Sequence, residues 1–134
     1  MDVVVLDASA VAGVLLDSPR HPGVRDLLVG EEWELLVPHL CDLEVASALR
    51  KAVRRGVAEP SRAEAALSLY LDLPLSRFPH APLLRRAFAL RDNFTMYDAI
   101  YVALAEAVGA PLYTADSRLA RTVREHTSVQ AIEV

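Results

Sequence analysis

Four acidic residues of this 134-residue chain stand at the ends of strongly apolar segments. Asp7 and Asp116 each follow a short apolar run, the pattern of a strand buried inside a parallel sheet. Glu44 and Asp98 lie near the start of segments whose apolar residues recur at helical spacing. Because the carboxyl ends of parallel strands meet at one edge of a sheet, we expect the four carboxylates to converge there.

Mutual repulsion among these carboxylates points to metal chemistry. Two like charges about 4 Å apart repel by roughly 4 kcal/mol at an effective dielectric constant of 20. A bound cation would remove that penalty. Oxygen donors without a cysteine or an obvious histidine partner favour Mg²⁺, or Mn²⁺, over zinc. The sequence therefore predicts a divalent cation held by Asp7, Glu44, Asp98 and Asp116.

Each acid also has a purely structural interpretation. Asp7 and Asp116 each precede a predicted helix and would serve as its N-cap, although Ser9 offers an alternative cap for the first helix. Residues 95–98 have the spacing of a capping box. Glu44 lies where any acid suits the helix dipole. Each acid can thus be explained without a metal, and the metal site is inferred from the four together.

The remaining pattern alternates strands with helices. It predicts an α/β fold, a three-layer α/β/α sandwich with a central, mainly parallel sheet, in a single domain spanning residues 1–134. The predicted strands are 3–6, 34–37, 111–115 and 129–134, and 75–78 is either a strand or a connection. The predicted helices are 9–16, 21–30, 40–55, 60–73, 82–91, 96–108 and 117–126.

Composition narrows the classes of function. No apolar run approaches the roughly 18 residues that span a bilayer, and Asp2 and Asp7 argue against a secretory signal. Cys41 is the one cysteine, which excludes an internal disulfide and fits a cytoplasmic protein. The net charge of −4 disfavours non-specific binding of nucleic acid. Metal-assisted chemistry on a phosphodiester remains compatible with this charge.

Four segments together resemble a known family. They read VLDASA (5–10), LEVASALR (43–50), YDAIYVALA (97–105) and YTADSRL (113–119). In this order they are similar to the motifs of the PIN-domain ribonucleases, and among them to the VapC-type toxins of toxin–antitoxin pairs. The resemblance implies that Asp7, Glu44, Asp98 and Asp116 are the catalytic, metal-binding acids. It also implies that Ser9 and Thr114 are supporting polar residues.

The same resemblance implies a function. We expect a Mg²⁺-dependent endoribonuclease in which a metal-activated water attacks the RNA phosphodiester. Relatives of this kind form homodimers and are silenced by a small antitoxin protein, so both partners are expected here.

Basic residues provide candidates for RNA contacts. Arg50, Lys51, Arg54 and Arg55 follow Glu44 on the same predicted helix, where they either contact RNA phosphates or form a solvated face. Arg118 follows Asp116 closely and is the better candidate. The four histidines have no ligand spacing, and Tyr97 and Tyr101 are interpreted as core or dimer-surface residues.

Three other classes of protein are alternatives to a toxin. One is a housekeeping PIN nuclease of RNA processing, and another is an inactive PIN-like module that binds a partner. The third is a phosphoacceptor receiver domain, which also gathers acids and Mg²⁺ at strand ends. That mechanism needs a lysine at a late strand end, whereas the one lysine, Lys51, lies in a predicted helix. We therefore reject the receiver domain.

Overall fold

The computed structural model describes residues 2–16 and 22–134. The strands are β1 (Asp2–Leu6), β2 (Trp33–Pro38), β3 (Leu75–Phe78), β4 (Leu112–Thr114) and β5 (Ala131–Glu133). The helices are α1 (Ala8–Leu15), α2 (Pro22–Val29), α3 (Leu40–Arg54), α4 (Pro60–Asp72), α5 (Leu84–Ala89), α6 (Met96–Val108) and α7 (Ser117–His126), and a 3₁₀ turn (Ala81–Leu83) precedes α5. Residue 21, the predicted start of the second helix, lies outside the described residues.

The five strands form one parallel sheet in the order β3-β2-β1-β4-β5. This confirms the predicted fold class, and it makes β3 a strand rather than a connection. The chain leaves β1 towards β2 and later returns to β4 on the other side of β1. The boundary between β1 and β4 is therefore the topological switch point, where open α/β sheets form their ligand crevice. Receiver domains have a different strand order, 2-1-3-4-5, which agrees with their rejection.

Buried aliphatic side chains explain the two central strands. Val4, Val5 and Leu6 of β1 are completely buried, and so is Val37 of β2. A strand that is covered on both faces needs such a continuous apolar run. Right-handed crossovers place the helices in two layers, and α1, α3 and α4 pack against one another while α5 packs on α6.

Helix α6 is the most deeply buried helix of the described chain. Its residues 99–105 are all buried, and it packs against β1, β2 and β4. Thr95 begins the helix, because its Oγ1 accepts a hydrogen bond from the amide of Asp98 at 3.1 Å. Gly109 ends it in the left-handed conformation, with φ = 66°. These two caps fix the depth at which Asp98 sits above the sheet.

Membrane insertion finds no support in the described helices. None of the helices within residues 2–16 and 22–134 is long and apolar enough to cross a bilayer.

Candidate active site

The site is built around Asp7, which follows the central strand β1, and Thr114, the last residue of β4. Leu6 pairs with Tyr113 in the sheet, and the amide of Asp7 donates a hydrogen bond to the carbonyl oxygen of Tyr113 at 3.1 Å. This register brings Asp7 beside Thr114 at the carboxyl edge of the sheet. The two residues are separated by 107 positions in sequence. Strand pairing at the switch point therefore assembles the centre of the site.

Three donors hold the carboxylate of Asp7, which is 6% exposed. Thr114 Oγ1 donates to Oδ2 at 2.7 Å, and Ser9 Oγ donates to Oδ1 at 2.5 Å. The amide of Ala10 also donates to Oδ1, at 3.1 Å. Asp7 is thus the N-cap of α1, and the alternative in which Ser9 caps this helix is wrong. Capping occupies one carboxylate oxygen without exhausting the lone pairs of the other.

Both hydroxyl groups also tie the turn after β4 to Asp7. Ser9 Oγ accepts a hydrogen bond from the amide of Ala115 at 3.0 Å, and Thr114 Oγ1 accepts one from the amide of Asp116 at 3.0 Å. Each hydroxyl has a single proton, which it donates to the carboxylate of Asp7. The structure therefore places the hydroxyls of Ser9 and Thr114 against the carboxylate of Asp7.

Glu44 reaches the site from α3, which packs against α1. Its Oε1 accepts a hydrogen bond from the hydroxyl of Tyr101 at 2.7 Å. Tyr101 lies on α6, three residues after Asp98, so both side chains point to the same side of that helix. The interaction joins the two helices that carry Glu44 and Asp98.

The other two acids stand at helix starts, as predicted, but they contribute differently to the caps. Asp116 Oδ1 accepts hydrogen bonds from the amides of Arg118 at 2.9 Å and Leu119 at 3.1 Å, so its side chain caps α7. At α6 the cap acceptor is Thr95, and Asp98 contributes its backbone amide. The same Thr95 hydroxyl also bonds the carboxyl of Asp98, which opposes the rise that burial causes in the pKa of that carboxyl.

Burial dominates the electrostatics of Asp7. It raises the pKa of this carboxyl, and the hydrogen bonds from Ser9 and Thr114 oppose the rise. Desolvation thus disfavours the ionised form of Asp7, and the hydrogen-bond donors partly offset this effect. A charged carboxylate held in this way is a group that a cation would stabilise.

The pKa values of Glu44 and Asp98 depend on burial and on the charges of the other acids. Burial raises the pKa of Glu44, Tyr101 opposes the rise, and the charges of Asp7 and Asp98 add to it. Burial also raises the pKa of Asp98, followed by the charges of Asp116 and Asp7, while Arg118 lowers it. The four acids therefore form one set of mutually repelling charges at the switch point.

Comparison with known protein families identifies the family to which the chain belongs. The profile of the PIN domain matches residues 4–125. The chain belongs to the PIN domain family. The matched region contains all four acids and both supporting hydroxyls.

Curated relatives place this PIN domain near the VapC proteins. It is similar to ribonuclease VapC1 of Mycobacterium tuberculosis, with 44% identity over 121 residues that cover 90% of each chain. Ribonuclease VapC12 of the same organism is 36% identical over 130 residues, which cover 97% of this chain and 99% of the relative. A crystal structure of VapBC2 from Rickettsia felis, bound to a DNA fragment from their promoter, shares the fold, with a TM-score of 0.71, 12% identity and 98% coverage of both chains.

The donors of this PIN domain fit a hard divalent cation in their chemistry. All four are carboxylates, and burial, followed by neighbouring negative charge, raises the pKa values of Glu44 and Asp98. Within residues 2–16 and 22–134, however, no three His, Cys, Asp or Glu side chains already stand together as a metal site. In this conformation Asp7 and Asp116 are instead engaged by hydrogen bonds.

The basic residues that are candidates for contacting RNA lie in two different places. Arg118 lies close enough to Asp98 to lower the pKa of that carboxyl. Arg50 and Arg54 are exposed, and they line a groove of about 440 Å³ between α3 and α4, with Leu49, Val53 and Leu67 among its apolar members. Contact of any of these arginines with RNA stays a prediction.

Two interactions near the site were not predicted. Asp42, in the first turn of α3, accepts hydrogen bonds from Tyr70 at 2.6 Å and from Arg77 at 2.9 Å. Tyr101 lies in the core, as one of the two predicted alternatives has it, and its buried hydroxyl also contacts Glu44, which was not predicted. The spacing of three between Asp98 and Tyr101 was the available signal for the second interaction.

The described histidines stay outside the acid set. His80 Nε2 accepts a hydrogen bond from the amide of Leu40 at 2.8 Å, which supplies the first turn of α3 with a distant cap. His39 lies beside it, with 6.0 Å between the ring centroids. A structural or surface role, as expected from the sequence, accounts for both contacts.

Proposed function

We propose that this PIN domain is a Mg²⁺-dependent endoribonuclease and the toxin of a toxin–antitoxin pair. The observation that carries the proposal is the set of four charge-coupled carboxylates at the switch point of a VapC-like chain. VapC relatives named as ribonucleases, 36–44% identical to this chain, support the choice of RNA as substrate.

Asp7, Glu44, Asp98 and Asp116 would hold the cation, with Mn²⁺ as an effective substitute. When bound, the cation supplies positive charge that activates water for attack on phosphorus and offsets charge growing on the phosphate oxygens. The protein's own contribution is to keep the acids in place against their mutual repulsion. Ser9, Thr114 and the amide of Ala10 do this for Asp7 through their hydrogen bonds.

A proton must leave the attacking water, and a carboxylate of the site is its acceptor. Glu44 and Asp98 suit this role better than an exposed acid, because burial raises the pKa of each towards neutrality. Both side chains are only partly buried, so a substrate can approach them. Arg118 stands beside Asp98 and would hold a phosphate of the RNA, with Arg50 and Arg54 as more distant contacts.

The proposed partners are an antitoxin and a second copy of the chain. Large apolar side chains are exposed on α4 and α5, including Leu69, Leu71 and Phe88, which supports the burial of surface in a complex. An arginine of the antitoxin would satisfy the same carboxylates as the cation. A cytoplasmic location belongs to the same proposal, because an RNA substrate and an antitoxin would be met there.

Cleavage of RNA by the purified, antitoxin-free chain tests the proposal. With Mg²⁺ we expect internal cuts in total cellular RNA, and with excess EDTA we expect none. Mapping the cut ends would identify the target. Intact RNA in Mg²⁺ and in Mn²⁺ would instead favour an inactive PIN-like binding module.

A further inference from the structure

The hydroxyl of Tyr101 donates a hydrogen bond to one of the four acids, and the proposed mechanism gives this hydroxyl no role. Tyr101 is 2% exposed, and its ring is packed where α6 lies on the sheet. Its hydroxyl donates to Glu44 Oε1 at 2.7 Å, whereas Oε2 accepts no hydrogen bond from any residue that the structure describes. One oxygen of Glu44 is therefore held and the other is available.

We infer that Tyr101 is a positioning residue, which fixes Glu44 Oε1 so that Oε2 is directed at the divalent cation. This inference rests on the proposed metal-dependent function. A glutamate side chain has three rotatable bonds, so an unrestrained Glu44 would lose much conformational freedom when it binds a cation. The hydrogen bond from Tyr101 restricts that freedom in advance. Donors of this kind, which orient a ligand, typically strengthen metal binding 10- to 100-fold.

The position of Tyr101 is itself fixed from a second side. The buried thiol of Cys41 lies beside the hydroxyls of both Tyr101 and Tyr70. Tyr70 is completely buried, and its hydroxyl donates to Asp42 Oδ1 at 2.6 Å, where Arg77 pairs with the same carboxylate. The two tyrosines thus flank one thiol, and each serves one carboxylate of α3.

This near-symmetry supplies a matched control. Tyr101→Phe and Tyr70→Phe each remove one hydroxyl from a fully packed ring, and each leaves one α3 carboxylate without its tyrosine donor. A purely structural role predicts similar behaviour for the two variants. A positioning role predicts that only Tyr101→Phe changes the affinity for the cation.

Titration calorimetry with Mn²⁺ alone, on the full chain, separates these roles. We expect Tyr101→Phe to raise the Mn²⁺ dissociation constant at least tenfold, and Tyr70→Phe to change it less than about twofold. In a Glu44→Gln background the additional effect of Tyr101→Phe should disappear, because the residue acts through that carboxylate. If Tyr101→Phe does not unfold cooperatively, all variants are compared in sucrose, which stabilises the folded state, with the same expectation.

Activity gives a second readout. Because the hydroxyl positions a ligand and does not touch the substrate, RNA cleavage by Tyr101→Phe should recover when Mn²⁺ is raised to saturation. Wild-type Mn²⁺ affinity in Tyr101→Phe, or equal losses in the two phenylalanine variants, would overturn the inference while leaving the nuclease standing. Absence of Mn²⁺ binding by the wild type would overturn the proposed function, and the positioning role with it.

Discussion

Thr114 Oγ1 donates a hydrogen bond of 2.7 Å to Asp7 Oδ2 across the boundary between β1 and β4. The same hydroxyl oxygen accepts the amide of Asp116, so one side chain links two of the four acids. Thr114 is completely buried. It therefore couples the packing of the sheet edge to the geometry of the site.

Replacing Thr114 by Val should destabilise the fold. The substitution keeps the shape but leaves Oδ2 of Asp7 and the amide of Asp116 each without the Thr114 hydroxyl, at about 1–3 kcal/mol in the free energy of unfolding. Urea denaturation measures this. Thr122→Val is the control, because the hydroxyl of Thr122 only bonds the carbonyl of Arg118 within α7, and we expect about 0.5 kcal/mol or less. Equal effects of the two substitutions would contradict the role given to Thr114.

Asp98→Asn should abolish RNA cleavage without unfolding the protein. The cap of α6 uses the hydroxyl of Thr95 and the backbone amide of residue 98, and both survive the substitution. Loss of the charge also relieves repulsion from Asp7 and Asp116, so the melting temperature should stay the same or rise. Cleavage of total RNA and thermal unfolding are the measurements. Asp92→Asn, an exposed residue just before α6, should cleave at the wild-type rate. Cleavage by Asp98→Asn at that rate would reduce Asp98 to a structural residue.

The stability of the metal-free protein should depend on pH in a defined direction. The folded state raises the pKa values of Asp7, Glu44 and Asp98, so it binds protons more readily than the unfolded chain does. Their contribution to stability is fully present below the unfolded values, near pH 4, and is lost as pH rises through the folded values. We expect these groups to make the metal-free protein less stable at pH 7 than at pH 5. Denaturant titrations at the two pH values test this, and Asp7→Asn should reduce the difference.

A divalent cation should restore the stability that the metal-free protein loses as the pH rises to 7. A ligand that binds only the folded state stabilises it by about 2.7 kcal/mol at a hundredfold excess over its dissociation constant. Mg²⁺ or Mn²⁺ should therefore raise the melting temperature at pH 7, whereas Na⁺ of equal ionic strength should not. Asp7→Asn should match or exceed the wild type in metal-free stability and respond less to the cation. An undiminished response in Asp7→Asn would show that Asp7 lies outside the site.

Arg118→Ala should weaken substrate binding more than turnover. Arg118 lies beside Asp98, and removing one phosphate contact should raise KM and reduce the slope of log affinity against log salt by about one. Arg121→Ala, an exposed residue of the same helix, is the control and should leave both quantities unchanged. Steady-state cleavage of a defined RNA at several salt concentrations gives the measurement. Parallel behaviour of the two variants would remove Arg118 from the substrate site.

The fold and the positions of the acids followed from local patterns. Valine and leucine runs predicted β1, helical spacing predicted α3 and α6, and Gly109 ended α6 as expected. The shorter β5 is a difference of detail, because residues 129 and 130 lie before the strand begins. Such features depend on neighbours in sequence, and single segments report them well.

Contacts between distant segments were not predictable in the same way. The hydrogen bond from Tyr101 to Glu44 joins α6 to α3, and that between Tyr70 and Asp42 joins α4 to α3. Each depends on how two helices are placed over the sheet, which no single segment encodes. Asp7 rather than Ser9 caps α1, and the Ser9 hydroxyl is engaged instead by the carboxylate of Asp7 and by the amide of Ala115, a residue distant in sequence.

A crystal structure grown with Mn²⁺ tests the central claim most directly, because anomalous scattering locates the ion without reference to activity. We predict an anomalous peak at the carboxyl edge between β1 and β4, about 2.1 Å from carboxylate oxygens that include one from Asp7. Glu44, Asp98 and Asp116 should complete the coordination directly or through water. A peak elsewhere, or none at saturating Mn²⁺ with Asp7 still held by Ser9 and Thr114 alone, would contradict the account.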